Sequence, residues 1–251
     1  MSKLKNELLA NKESLVLSKR HEEWLEKNHN PSWSDEALEF AQSVLSGDAG
    51  GNRKRKTDFR ASGISSCSRQ LLYQASAAKG KEEINARLSN IFATGNFLHL
   101  KWQMIGLTEG WLKSAEIPFE SEEYSFGGTL DGIIFDDSLF EFKSINSYGY
   151  SNVVKFGPKK DHIDQANAYM WLADLKAVSF VYENKDTGDW KEFRLSRDPK
   201  IISEIKEKLE YLEEMHKEDK KPKPLKKCIE KEGQTYRFCK FREICLKDYY
   251  V

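Results

Sequence analysis

Residues Gly127 to Ser144 read GGTLDGIIFDDSLFEFKS, and this stretch decides the fold of the 251-residue chain. Thr129 to Phe135 is rich in Leu, Ile and Phe, and Leu139 to Lys143 alternates apolar with charged residues. Both segments are therefore predicted to be short strands. The polar residues Asp136, Asp137 and Ser138 between them favour a turn. We expect this stretch to form a β-hairpin.

The hairpin carries three charged side chains that need an explanation. Residues i and i+2 of a strand share a face, so Glu141 and Lys143 point the same way. A loop at residues 136–138 places Asp131 opposite Lys143 and all three charges on one face, whereas a one-residue slip separates them. Two carboxylates and a lysine on one face suit a site for Mg²⁺ or Mn²⁺. The same residues also suit a solvated strand face with a Glu–Lys surface pair.

Composition narrows the class of protein. Apolar residues make up 39% of the chain and charged residues 32%, which is typical of a soluble globular protein, and the formal net charge is zero. Binding to nucleic acid must then come from local basic clusters rather than from a global positive field. No segment has the length and apolarity of a membrane span or a signal peptide, so we expect a cytoplasmic protein without a membrane partner. In that compartment the four cysteines suggest a metal or cluster site before disulfides.

Two units are predicted along the chain. Residues 1–50 form a helical N-terminal extension and a glycine-rich linker, with Pro31 splitting the helices and Ser32 or Ser34 as an N-cap. Residues 51–251 form the main domain. Its predicted elements are a helix from Gly80 to Lys113, a strand from Glu116 to Tyr124, the hairpin above, a helix from His162 to Leu175 capped by Asp161, a hairpin of Val178–Glu183 and Lys191–Leu195, and a helix from Ile201 to His216.

Four short motifs follow one another in this domain. They are Gly-x-x-x-His at Gly95 and His99, Gly-x-x-Asp at Gly128 and Asp131, Glu-x-Lys at Glu141 and Lys143, and Gln-x-x-x-Tyr at Gln165 and Tyr169. In this order, and in these helix and strand contexts, they resemble the RecB-like branch of the PD-(D/E)XK nuclease superfamily over roughly Arg60 to Asp248. The resemblance implies an α/β fold whose central mixed sheet is flanked by helices.

The resemblance also implies roles for these residues. His99, Asp131 and Glu141 would be ligands of Mg²⁺ or Mn²⁺. Lys143 would orient or deprotonate the attacking water or stabilise charge on the phosphate, with Gln165 and Tyr169 beside it. The implied reaction is metal-assisted hydrolysis of a phosphodiester.

The cysteines are similar to those of particular members of this branch. Some bind a four-iron cluster through one cysteine before the nuclease core and three after it, among them CRISPR-associated spacer-acquisition nucleases, the nuclease part of helicase–nuclease repair enzymes, and phage exonucleases. Cys67, with Arg69 and Tyr73, resembles their Cys-x-Arg-x-x-x-Tyr, and Cys239 and Cys245 resemble their final pair.

One cysteine departs from the pattern of these members. The position three before Cys239 holds Tyr236, and Cys228 lies further upstream. A [4Fe-4S] cluster on Cys67, Cys228, Cys239 and Cys245, a zinc site with the same thiols, and four metal-free thiols all stay open.

The leading functional prediction is a metal-dependent DNA exonuclease that prefers single strands or ends, in phage DNA metabolism or recombination and repair. Its expected partners are DNA and proteins of recombination or replication. Basic residues predicted to contact phosphates are Arg53, Lys54, Arg55, Lys56, Lys159 and Lys160. The alternatives are a non-catalytic DNA-binding scaffold in a recombination or CRISPR spacer-acquisition complex, and a structure-selective endonuclease.

Overall fold

The computed structural model of the protein describes residues 17–28, 32–48, 57–81 and 84–250. Within these ranges a six-stranded mixed sheet lies between helices, so the predicted α/β fold class is confirmed. The strands are β1 Phe59–Arg60, β2 Leu112–Glu120, β3 Phe126–Ile134, β4 Leu139–Ile145, β5 Ala177–Asn184 and β6 Trp190–Ser196. The helices are α1 Leu17–Lys27, α2 Asp35–Ser46, α3 Ser68–Ala75, α4 Ala86–Thr108, α5 Ser147–Phe156, α6 Lys160–Leu172, α7 Pro199–Lys217, α8 Lys226–Ile229, α9 Gly233–Arg237 and α10 Arg242–Tyr250.

The sheet is built on the predicted hairpin of β3 and β4. β2 pairs antiparallel with β3 along one edge of that strand. On the other edge, β4 pairs antiparallel with the C-terminal part of β3, at Gly132 and Ile133. β1 runs parallel to β3 and takes the place of β4 beside Phe126 and Gly127. β4 continues the sheet in parallel with β5, which forms an antiparallel hairpin with β6. β3 therefore changes partners midway along its length, and Asp131 lies near that change.

The register of the central hairpin differs from the predicted one. The loop consists of Phe135–Asp137, since Ile134 N–H donates to Ser138 O at 2.9 Å and Asp137 N–H donates to Ile134 O at 3.0 Å. Asp137 has a positive φ of 58°, which is typical of the last residue of a three-residue hairpin loop. Because the loop starts one residue earlier, Gly132 pairs with Phe140 and Ile133 with Leu139. Asp131 is thus not opposite Lys143. A shift of two residues preserves the alternation of faces, so the charged residues stay together.

Other element boundaries also differ from the predictions. α4 runs continuously through Gly95 but starts at Ala86 rather than Gly80, with the Asn85 side chain accepting from Leu88 N–H, and it ends at Thr108 rather than Lys113, which lies in β2. β2 starts four residues before the predicted Glu116 and ends at Glu120. α6 begins at Lys160, so Asp161 lies in its first turn rather than at the cap. The β5–β6 hairpin and α7 match the predicted segments to within a few residues.

Two apolar cores cover the two faces of the sheet. The larger core contains buried side chains of α3, α6 and α7 packed on strand residues such as Leu130 and Phe180. The second core contains side chains of α1, α2 and α4 packed on strand residues such as Phe140 and Val181. This layered arrangement holds α4 and α6 against the central strands.

The described part of the predicted N-terminal extension packs on this second core. Of the two predicted N-cap residues, Ser32 and Ser34, Ser34 is the N-cap of α2, and its side chain accepts from Ala37 N–H. In α1 the buried His21 stacks on Trp102 with ring centroids 3.6 Å apart. None of the helices in the described ranges is long and apolar enough to cross a membrane.

Candidate active site

Asp131 lies where β3 and β4 diverge. The ladder between the two strands includes Gly132 and Phe140, and the next contact is made by a side chain: Phe142 N–H donates to Asp131 Oδ2 at 2.8 Å. This hydrogen bond fixes the carboxylate at the inner edge of the opening. Burial raises the pKa of Asp131 to about 6, although Lys143 and the Phe142 N–H oppose the shift.

Glu141 and Lys143 form a buried ion pair on β4. Glu141 is fully buried, and apart from the Lys143 ion pair neither of its oxygens has a hydrogen-bond partner among the described residues. Burial, and then repulsion from Asp131, raise the pKa of Glu141 to about 7. Burial lowers the pKa of Lys143, but the two carboxylates outweigh that effect and raise it overall. Lys143 therefore stays an ammonium group in this arrangement.

His99 reaches the same place from α4. Its Nε2 lies 3.4 Å from Asp131 Oδ2, and its ring stacks on Phe142 with centroids 5.6 Å apart. One turn earlier, a Cβ on Gly95 would come within 3.2 Å of Ser144 Oγ, so glycine lets the helix approach the strand that bears Lys143. Burial lowers the pKa of His99, and its buried Nε2 has no hydrogen-bond partner among the described residues. A neutral imidazole whose ring nitrogen has no hydrogen-bond partner can coordinate a metal ion through that nitrogen.

Glu116 completes the group and is absent from the sequence prediction. His99, Glu116 and Asp131 each offer a ligand atom within 4.8 Å of the other two. Glu116 has a positive φ of 51° in the middle of β2, and the ladder to β3 skips it between Ala115 and Ile117. Gln103 holds it in place, because its Nε2 donates to Glu116 Oε1 at 3.0 Å and to Asp131 O at 2.9 Å. Strained non-glycine residues of this kind concentrate at functional sites.

Gln165 and Tyr169 approach from α6. Gln165 Oε1 accepts from Lys143 Nζ at 3.3 Å, and Gln165 Nε2 donates to the Tyr169 hydroxyl at 3.4 Å. A Cβ on Gly128 would come within 2.6 Å of the Tyr169 ring, so the glycine of the third strand makes room for the tyrosine of the helix. The four motifs found in the sequence thus converge at one place in the fold.

The arrangement suits a hard divalent cation. Carboxylate oxygens with one imidazole are ligands that Mg²⁺ and Mn²⁺ accept. His99, Glu116 and Asp131 are the residues that would hold such an ion, and Glu141, the further ligand expected from the sequence, lies outside this close group of three. The unpaired His99 Nε2 and the unpaired Glu141 oxygens fit this assignment, because buried polar atoms normally have partners.

The raised carboxylate pKa values predict a pH-dependent response to metal. Between their ordinary pKa values and about 6 for Asp131 or about 7 for Glu141, the folded protein binds more protons than the unfolded chain. Ionising these groups as pH rises therefore lowers stability, and a bound cation offsets that loss. We expect Mn²⁺ to raise Tm by several degrees more at pH 8 than at pH 6, relative to chelated protein in differential scanning fluorimetry.

Because Mn²⁺-loaded and chelated protein are compared at the same pH, the effect on Tm of titrating His21 and other groups remote from the site cancels. Asp131→Asn is the control, because it should lose most of the Mn²⁺-induced shift at pH 8. An Mn²⁺ effect that is equal at both pH values, or larger at pH 6, contradicts the ligand assignment.

The four cysteines lie together in a separate cavity. Cys67 precedes α3, Cys228 is in α8, Cys239 follows α9 and Cys245 is in α10, and all four line one cavity with Arg69, Tyr73 and Phe241. Cys228 reaches this cavity despite its irregular spacing in the sequence, because α8 packs against α10 and α9 packs against α8. Burial raises the pKa of Cys228 and of Cys245, and Arg69 partly offsets the rise at Cys245.

The predicted phosphate contacts are only partly described. Lys159 and Lys160 are exposed at the start of α6, and Lys160 Nζ lies 2.7 Å from Asp164 Oδ2. Arg53, Lys54, Arg55 and Lys56 lie outside the described residues.

The fold resembles several solved structures. The alkaline exonuclease LHK-Exo from Laribacter hongkongensis, solved in complex with dAMP, aligns with a TM-score of 0.54 and 20% identity over 66% of this chain and 90% of its own. A second LHK-Exo structure gives a TM-score of 0.50 and 19% identity over 65% of this chain and 90% of its own. SSO0001 gives a TM-score of 0.51 and 17% identity over 83% of this chain and 93% of its own. The sequence matches no protein-family model and no curated protein. At these identities the likeness establishes a shared fold.

Proposed function

We propose that the protein is a metal-dependent deoxyribonuclease that hydrolyses phosphodiester bonds as an exonuclease, on single strands or DNA ends. The observation that carries the proposal is the convergence of His99, Glu116 and Asp131, with the Glu141–Lys143 ion pair beside them. The chain shares its fold with an alkaline exonuclease whose bound dAMP is a deoxynucleotide, and this supports DNA as the substrate. Phage DNA metabolism, recombination and repair are the settings in which we place this activity.

Each residue has a role in this proposal. A bound Mg²⁺ or Mn²⁺ ion would supply Lewis-acid polarisation of the phosphate and a more acidic water. Glu141 and Asp131 outweigh burial and raise the pKa of Lys143, and its ammonium group would act as a positive charge beside the phosphate. Gln165 accepts a hydrogen bond from Lys143 and so orients that ammonium group. Gln103 orients Glu116 in the same way.

The test is a cleavage assay on end-labelled DNA. We expect Mg²⁺ or Mn²⁺ to support stepwise release of nucleotides from linear DNA, Ca²⁺ to bind without turnover, and excess chelator to stop the reaction. Closed circular and end-blocked DNA should survive. Asp131→Asn is the matched inactive variant, since it changes one carboxylate to an amide of the same shape.

The other candidate functions give different outcomes in this assay. Cleavage of closed circular DNA by the wild type, absent from Asp131→Asn, identifies an endonuclease. Binding without cleavage under every metal condition identifies a non-catalytic scaffold. Full activity in excess chelator rejects the metal-dependent mechanism.

Lys159 and Lys160 are proposed to contact DNA phosphates. Both are exposed at the start of the helix that carries Gln165, and the ammonium of Lys160 pairs with Asp164, whose largely buried carboxylate also accepts from Ser65 Oγ. Replacing both by alanine should weaken DNA binding about 10-fold near 0.1 M salt and reduce the slope of log K against log salt by about 1–2. Fluorescence anisotropy over a salt series measures both quantities. Lys200→Ala on α7 is the control with an exposed lysine, and an unchanged slope in the double variant assigns the DNA contacts elsewhere.

The cysteine cavity is proposed to hold a [4Fe-4S] cluster. Among the described residues, which include all four cysteines, no three sulfur atoms lie within 4.8 Å of one another. Tetrahedral zinc, with Zn–S bonds near 2.3 Å, brings its sulfur ligands to about 3.8 Å from each other. Thiolates on different irons of a cluster lie farther apart. The spacing of the thiols thus favours the cluster over a single zinc ion.

The charge around Arg69 supports a metal–thiolate centre of either kind. This guanidinium is buried, and its hydrogen bonds go to the Tyr73 hydroxyl, Pro222 O, Cys245 O and Cys245 Sγ, the last at 3.1 Å. In the described ranges no carboxylate forms an ion pair with it; Asp248 is reached only through Tyr73. A buried cation needs a compensating negative charge, and a metal-bound thiolate at Cys245 provides one.

A further inference from the structure

His162 lies on the face of α6 that borders the candidate active site. It precedes Gln165 by three residues and Tyr169 by seven, so the three side chains share one face of the helix. Gln165 contacts Lys143 directly, and the positive charge of Lys143 also acts on His162. The imidazole is therefore close to the catalytic lysine, although no motif in the sequence includes it.

Tyr182 holds the His162 ring in position. The Tyr182 hydroxyl lies 2.7 Å from His162 Nδ1, and the two rings stack with centroids 5.7 Å apart. Tyr182 is fully buried on β5, where it pairs with Lys143 of β4 in the parallel ladder. A rigid strand residue next to Lys143 thus fixes the orientation of the imidazole.

The hydrogen bonds around Tyr182 determine which nitrogen of His162 carries the proton. Burial raises the pKa of the Tyr182 phenol, and a hydrogen bond from the Lys159 backbone opposes that rise, which is the effect of an N–H that donates to the phenol oxygen. The hydroxyl proton is then directed to His162 Nδ1. Burial, and then the Lys143 charge, lower the pKa of His162 to about 4, so the ring is neutral at pH 7. A neutral imidazole that accepts at Nδ1 has its hydrogen on Nε2.

The Nε2–H group has no partner among the described residues, because the one hydrogen bond of this ring is the one that Nδ1 accepts from the Tyr182 hydroxyl. It is a fixed, neutral donor beside the Lys143 ammonium. A neutral donor avoids the repulsion that a second cation next to Lys143 would bring. Such a group suits an oxygen that gains negative charge during the reaction.

We propose that His162 contacts the substrate, donating a hydrogen bond from Nε2 to a non-bridging oxygen of the phosphodiester that is cleaved. The inference rests on the proposed nuclease function and adds a residue to it. Tyr182 and the Lys159 N–H act through His162 as positioning groups. No bond to His162 forms or breaks in the reaction.

The test separates the Nε2–H donor from the packing of the ring. His162→Phe keeps a flat ring on Tyr182 without a donor, and we expect kcat to fall about 10²-fold while KM and Tm change little. His162→Gln can place an amide N–H near the position of Nε2, and it should recover about 10-fold of that loss. His216→Phe on α7, whose imidazole packs on Phe59 outside the site, is the control and should keep the wild-type kcat.

A wild-type kcat in His162→Phe overturns the inference, and so does a variant whose only change is a lower Tm. Should His162→Phe fail to fold, Tyr182→Phe decides the matter, because it removes the hydroxyl and keeps the ring. It should lower kcat about 10-fold, and an unchanged kcat overturns the inference. Wild-type protein that does not cleave DNA with Mg²⁺ or Mn²⁺ overturns the proposed function, and the role of His162 with it. Failure of the inference alone requires active wild type and an equally active His162→Phe.

Discussion

Replacement of Lys143 by alanine is expected to reduce DNA cleavage about 10³-fold or more, with little change in DNA affinity. Lys143 is the positive group in direct contact with Glu141, and Gln165 fixes its orientation. Its pKa is raised by the two carboxylates, so it carries its charge throughout the neutral range. Removing it takes away charge stabilisation that is needed in the transition state rather than in the bound ground state.

The variant also leaves Glu141 buried without its counter-charge. We expect the pKa of Glu141 to rise further, so the metal-free variant should hold this carboxyl protonated at neutral pH. Single-turnover rates with saturating protein, together with anisotropy measurements in Ca²⁺, separate the chemical step from binding. Lys143→Met tests whether side-chain volume alone matters, and it should be as inactive as the alanine variant.

Lys113→Ala is the matched control. This lysine lies on β2 and pairs with Asp137 at the surface, so its loss should leave the rate within about twofold of wild type. A rate near wild type for Lys143→Ala rejects the assignment of the active site to the β3–β4 hairpin.

The sequence was informative where the chemistry depends on local spacing. Glu141 and Lys143 are two residues apart on a strand, and Gln165 and Tyr169 are four apart on a helix. Those spacings set side-chain directions before any tertiary contact forms. The glycines of the motifs have a tertiary reason that spacing alone does not reveal: Gly128 admits the Tyr169 ring to the sheet.

The details of the site depend on long-range pairing, which no local pattern specifies. The expected register was off by two residues because the polar run Asp136–Ser138 was read as the loop, whereas the loop begins at the apolar Phe135 and ends at Asp137 in the αL conformation. Glu116 was missed because it becomes a site residue only when β2 pairs with β3 and places it beside Asp131. In the sequence it is one of many glutamates. A positive φ and a buried Gln103 partner are visible only in three dimensions.

Cys228 shows the same limitation in the cysteine cavity. Its spacing from Cys239 differs from the expected pattern, and the structure nevertheless brings it to the cavity shared by the other three thiols. The extra residues between Cys228 and Cys239 form the end of the short helix α8 and the short helix α9.

Cys228→Ser is accordingly expected to lose most of the bound iron. Protein purified anaerobically should be brown and contain about four irons per chain, and the variant should be nearly colourless. Because ligands from both ends of the domain would share one centre, its loss should lower Tm by roughly 10 °C. DNA cleavage should fall only as far as the folded fraction falls, since phosphodiester hydrolysis needs no redox centre.

The measurement is iron and zinc analysis with absorption spectra and thermal melting for three proteins: wild type, Cys228→Ser and Thr235→Ala. Thr235 lines the same cavity without a thiol, so its variant should keep iron, colour and Tm. Full iron content in Cys228→Ser shows that this cysteine is not a ligand and rejects the four-thiolate cluster. Colourless wild-type protein with one zinc per chain rejects the iron cluster while retaining a metal that ties α3 to α10. Wild-type protein with neither metal leaves the buried Arg69 charge without the thiolate partner that we assign to it, and rejects the metal centre altogether.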